Sequence, residues 1–161
     1  VSLSFDKSAW FAFDKPAHVP CPKLAAASTC TSHATLESDG QAGCAAYDCY
    51  GAGQRTCRLF GGSSWRDSAG RATAMFATFR RLEQLHELRW LLHEAGRLAL
   101  RPEHARERAR LLLELEPRED FSLDSLAALD LEALARRARR WLRGLHVYFP
   151  EQPRRRLPVL R

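Results

Sequence analysis

Lysine is nearly missing from this chain. Lys7, Lys15 and Lys23 are the only ones among 25 basic residues. Arginine therefore carries the net charge of +6. Together with abundant alanine and leucine, that bias reads as the imprint of a GC-rich genome rather than as a function. Long apolar runs are absent too. None approaches the ~18 residues of a membrane span, and no signal-peptide pattern precedes the first polar residues. No membrane partner is expected, and the expected location is cytoplasmic. There is no Gly-x-Ser-x-Gly nucleophile motif. Gly51-Ala52-Gly53-Gln54 resembles part of a phosphate-binding loop but lacks a third spaced glycine, a following lysine and a clear preceding strand. It is read as a structural turn. No Cys-x-x-Cys pair occurs, and no cysteine follows Cys57.

What is present is a cluster. All five cysteines fall between Cys21 and Cys57, in a Gly- and Pro-rich stretch that also holds His18, His33 and Asp48. Reducing compartments keep thiols free, so clustered cysteines there favour metal binding or redox chemistry over disulfides. Thiolates are soft, charged donors suited to zinc, copper(I) and iron–sulfur clusters. A metal or iron–sulfur site is the first expectation. Asp48 is read as capping the following turn, and His33 as packing or supporting a ligand rather than ligating.

Composition divides the chain into a Cys-rich region over 1–68, a helical region over 69–149 and an Arg- and Pro-rich tail over 150–161. The expected fold is mainly α, with an irregular Cys-rich N-terminal region packed on a small C-terminal helical bundle. Ser2–Phe5 and Trp10–Phe13 alternate as short extended segments would. Residues 31–39 can make one or two helical turns behind Thr31 or Ser32. Spacings of three and four predict a helix over about 71–100. Its buried stripe is expected to be Met75, Phe79, Leu82, His86, Trp90 and His93, widened by Phe76, Leu85, Leu88 and Leu92. A second helix is predicted over about 103–116, with Pro117 stopping it. A third begins at the Ser122 cap, is divided by Asp130, and ends at Gly144.

Two further groups are candidates. His86 and His93 lie about 10 Å apart along a helix, too far to share one ion easily, so packing is preferred. The arginine surplus sits late, in Arg136, Arg137, Arg139, Arg140, Arg143 and Arg154 to Arg156. Such a surface can bind phosphate backbones. Nucleic acid is kept as an alternative partner, but a solvated helix face with a basic tail is favoured.

The order Cys21-Pro22-Lys23-Leu24, Cys30-Thr31-Ser32-His33, Gly43-Cys44, Tyr47-Asp48-Cys49 resembles the YkgJ-type zinc- or iron-chelating cysteine-cluster family. The segment from Trp10 to about Arg66 looks closer still to a bacterial branch in which such a module follows pentapeptide repeats. The family pattern also opens with a Cys-x-x-Cys and a Cys-Cys pair, neither of which occurs in these 161 residues. The resemblance implies metal ligation by Cys21, Cys30, Cys44 and Cys49, with Cys57 outside the set. It implies zinc or iron, the iron alone or as an iron–sulfur cluster, held by half of a larger ligand set or by a smaller four-thiol site. It also implies a linked pentapeptide-repeat or other upstream domain as partner. The functional expectation is a metal-binding module. The alternatives are an iron–sulfur redox enzyme or electron carrier, and an Arg-rich nucleic-acid or protein adaptor.

Overall fold

A computed structural model describes residues 1–116 and 122–149. Among these the chain is mainly helical, as expected, with six α-helices. They are α1 (Ala42–Ala46), α2 (Ala52–Leu59), α3 (Ala69–Ala95), α4 (Pro102–Leu115), α5 (Leu123–Ala128) and α6 (Leu131–Gly144). Two 3-10 turns, His33–Thr35 and Leu145–Tyr148, complete them. The anticipated extended segments at the start reduce to an isolated antiparallel bridge between Phe5 and Lys15. The chain forms two compact units, Val1–His86 and a second beginning at Glu87, so the division falls inside α3.

The first unit is organised around aromatic rings and one buried charge. Phe5 stacks on Phe11 at 4.2 Å between centroids and meets Phe13 at 5.6 Å. Such ring pairs add to the gain from burial alone. Phe5 and Lys15 exchange backbone hydrogen bonds of 3.0 and 2.8 Å, and His18 N–H donates to Val1 O at 3.0 Å. These bonds close residues 1–18 into a loop. Lys15 is only 5% exposed. Its ammonium donates to the carbonyls of Val1 (3.1 Å), Pro16 (3.0 Å) and Leu3. Three donors meeting three acceptors make this burial tolerable for a charge. Farther on, the His18 ring stacks on Phe76 of α3 at 5.2 Å, and Trp65 tilts against the same ring at 6.1 Å.

In α3 the buried side chains of the first unit are Met75, Phe76, Thr78, Leu82 and Leu85. Those of the second are Leu88, Leu92 and Ala95. The stripe expected from sequence is thus correct in its leucines and displaced in its aromatic half. Trp90 is 44% exposed and His93 is exposed, because each turns away from the Leu88–Leu92 line. The helix stops at Ala95 rather than near 100. Its last-turn carbonyl of Leu92 accepts from Arg108 Nε at 2.6 Å. That guanidinium lies where a side chain at Gly96 would have to go, 2.4 Å from the position of an added Cβ.

The second unit follows the pattern closely. Pro102 opens α4, where its missing N–H costs nothing. Ser122 and Ser125 form a reciprocal cap on α5. That helix ends at Ala128 with Leu129 as its C-cap, and Asp130 caps α6 by accepting from Ala133 N–H at 3.0 Å. Beyond α3, its buried apolar residues are Leu111, Leu115, Leu126, Leu131, Leu134, Ala135, Ala138 and Leu145. Arg137 joins α6 to α4, reaching Glu107 at 2.8 Å and both Glu114 oxygens at 2.7 and 2.9 Å. Gly144 is not a left-handed terminator. Its φ is −65°, and the chain runs on through it into the 3-10 turn. The expected stop at Pro117 and the tail 150–161 lie outside the described residues.

Candidate metal centre

The thiols sit on three short backbone devices in the first unit. The first carries Cys21 and Cys30. Between two prolines, Cys21 begins a turn in which Leu24 N–H donates to its carbonyl at 2.9 Å. Lys23 N–H donates to the Cys21 sulfur at 3.4 Å. An amide aimed at sulfur fixes the thiol's direction, as hydrogen bonds to ligand atoms do in metal sites. Leu24 then bridges antiparallel to Cys30. The two segments are pinned by Ala25 N–H to Thr29 O and Thr31 N–H to Lys23 O, both 2.9 Å. Ser28 takes a left-handed φ of 63° to make the bend. Arg66 clasps this hairpin from outside, donating to Ser28 Oγ at 2.5 Å and Ala25 O at 3.4 Å while stacked 4.3 Å over Trp65.

Cys44 lies in α1, a helix of five residues. So short a helix is marginal by itself, and tertiary contacts hold it. Gly43 N–H donates to Trp10 O at 2.9 Å. The Phe11 ring presses on Gly43 so closely that a Cβ there would fall 2.2 Å from Phe11 Cζ. Gln41, just before α1, is 3% exposed, and neither side-chain polar atom has a partner.

Cys49 belongs to the turn that leads into α2. Asp48 Oδ1 accepts from Tyr50 N–H at 2.7 Å, the turn-capping role expected of it. Tyr50 and Gly51 both adopt left-handed φ, 51° and 81°. The turn is bound to α3 at two points. Tyr47 donates its hydroxyl proton to the Glu83 carboxylate, and His86 Nδ1–H donates to Tyr50 O at 2.8 Å. Burial, followed by the Glu83 hydrogen bond and charge, pushes the Tyr47 hydroxyl far above the usual tyrosine range. The Cys49 sulfur lies 4.0 Å from Gln54 Oε1. Cys57 is exposed on α2, and His33 is exposed in its 3-10 turn.

Electrostatics link three of the five thiols. Partial shielding from water pushes the Cys44 thiol above its ordinary range, and Cys21 and then Cys30 push it further. A like charge acts this way only when close. The Lys15 ammonium is lowered by burial and partly restored by Cys21. Cys21 thus acts electrostatically on both the Lys15 ammonium and the Cys44 thiol.

The donor chemistry suits a thiophilic metal. The spatial arrangement is looser. Among the described residues no group of three or more Cys, His, Asp or Glu is arranged so that it could hold a metal ion. Lys15, Tyr47, Glu83 and Arg66 fix the loops carrying the thiols, a role that no spacing in the sequence assigned to them.

No family model matches the chain, and no solved structure does. Over 96 residues it is 45% identical to an uncharacterized protein, YybG, of Bacillus subtilis (strain 168). The match takes in 59% of this chain and 34% of that protein, so the chain spans about a third of the length of this relative.

Proposed function

We propose that the first unit is a metal-binding module, with zinc or iron held by Cys21, Cys30, Cys44 and Cys49. The observation that carries the reading is that all five cysteines are free thiols within one unit; the upward push on Cys44, led by burial and followed by Cys21 and Cys30, is consistent with it. Thiols placed to repel one another when ionised are disfavoured by folding alone. A bound cation reverses the sign of that interaction, because coordination deprotonates thiols and neutralises their charge. The Lys23 amide aimed at the Cys21 sulfur gives further support. When bound, zinc would lend folding energy to a region of short helices and loops. An iron–sulfur cluster would instead supply an electron-transfer centre.

The test is metal analysis with absorption spectroscopy on protein purified without oxygen. One zinc per colourless chain supports a structural role. Brown protein containing iron and inorganic sulfide supports the redox alternative. Metal-free protein that takes up neither zinc nor ferrous iron on reconstitution overturns the proposal.

A further inference from the structure

The outward face of α6 carries four arginines that have no ion-pair partner among the described residues. Arg136, Arg139, Arg140 and Arg143 are all exposed. Among the described residues none has a carboxylate partner, whereas Arg137 on the same helix is committed to Glu107 and Glu114. Glu132 opens the helix one turn before Arg136 without an ion pair to it. The four residues form two i,i+3 pairs (136–139, 140–143) and two i,i+4 pairs (136–140, 139–143). On a helix these spacings put side chains side by side, and like charges there destabilise. The stripe works against the fold that displays it, over about 10 Å of helix axis.

We infer that this stripe docks onto the phosphate backbone of a nucleic-acid duplex. The guanidinium fork matches phosphate oxygens two at a time. A line of four such forks complements a polymer that carries a charge about every 1.7 Å of its axis. A single strand is the poorer fit, because no aromatic ring is interleaved among the arginines to stack a base. An anionic bilayer is also poorer, because it needs an apolar helix face free to enter the interface. The apolar side of α6 (Leu131, Leu134, Ala135 and Ala138) is instead buried. Binding of this kind reads charge spacing and not base sequence.

The experiment is fluorescence anisotropy of a labelled random-sequence DNA duplex with the full chain, repeated across salt concentrations. Four neutralised phosphates predict a log–log slope of about −3.6, or roughly a hundredfold weakening between about 50 and about 200 mM salt. Replacing Arg136, Arg139, Arg140 and Arg143 by glutamine is expected to abolish measurable binding. A control replacing the exposed Arg58, Arg71, Arg101 and Arg106 by glutamine removes the same charge and is expected to keep most of it. Circular dichroism checks that both fold. If the α6 variant folds poorly, Arg140→Glu alone is expected to weaken binding at least threefold.

Three results overturn the inference. One is no duplex binding by the wild type at low salt. Another is equal weakening in both quadruple variants. The third is α6-dependent binding to vesicles of phosphatidylcholine and phosphatidylserine without duplex binding, which transfers the face to a lipid partner.

Discussion

At the scale of single residues, the first unit depends on a few close approaches that leave no room for change. Gly43 lies under the Phe11 ring, where a methyl group would overlap Cζ at 2.2 Å. Gly43→Ala is therefore expected to cost about 1–3 kcal/mol through overpacking, read as a lowered urea midpoint. Adding Phe11→Leu should recover part of it by removing the ring atoms that clash. A variant as stable as wild type would show that the ring does not hold α1. The Cys44 thiol provides a second prediction, tied to the site. Shielding and then Cys21 and Cys30 raise it above the ordinary 9.0. An acid raised in the folded state favours folding fully below its unfolded value, and that contribution disappears as pH climbs through the folded one. The pH midpoint for alkylation of Cys44 in metal-free protein should accordingly lie above 9.0 and fall when Cys21 and Cys30 are both changed to serine. An unmoved midpoint would separate the three thiols.

At the scale of elements, the interface of α4 and α6 owes its register to Arg137, which meets Glu107 and Glu114. Hydrogen bonds from Arg137 hold the Glu114 carboxyl below its ordinary 4.5. For a depressed acid, the stabilisation is present above the unfolded value and lost as pH falls through the folded one. The groups are partly exposed, so solvent screening keeps the contribution to about 0.5 kcal/mol. The urea midpoints of wild type and Arg137→Gln should differ at about pH 6 and converge toward about pH 3. A constant gap would assign the effect of Arg137 to packing of its stem.

The same scale shows what was legible in the sequence. The helices α4, α5 and α6 could be read because Pro102, Ser122 and Asp130 mark their starts and leucines keep the helical period. In α3 the period was legible but its phase was not. Trp90 lies four positions from His86 and three from His93, which fits a stripe by spacing, but it lies two positions from both Leu88 and Leu92, about 200° around the helix from the leucines that are buried. The two short helices escaped notice. Ala42–Ala46 and Ala52–Leu59 carry no apolar stripe, and they exist because Phe11 presses on one and Gly51 turns the chain into the other. The cysteine cluster stood out by composition. The backbone turns that carry Cys21 and Cys30 depend on contacts through Lys15, Arg66 and the Leu24–Cys30 bridge, and no local spacing rule encodes those.

At the scale of the whole molecule, the two units differ in what stabilises them. The second has a leucine core that folding energetics readily explain. The first has aromatic contacts, a buried ammonium and short helices, and it holds all five free thiols, two of them within α1 and α2. That contrast is the physical case for a ligand in the first unit, since a bound metal supplies the stability that a sparse core does not. No helix among the described residues is long and apolar enough to cross a membrane.

The most direct test is residue-resolved protection of the thiols, by mass spectrometry after alkylation of reduced protein with and without zinc or ferrous iron. The account predicts that Cys21, Cys30, Cys44 and Cys49 become protected together at one metal per chain while Cys57 stays reactive, and that Cys44→Ser abolishes the protection. Five thiols that alkylate alike in the presence and absence of either metal would contradict it.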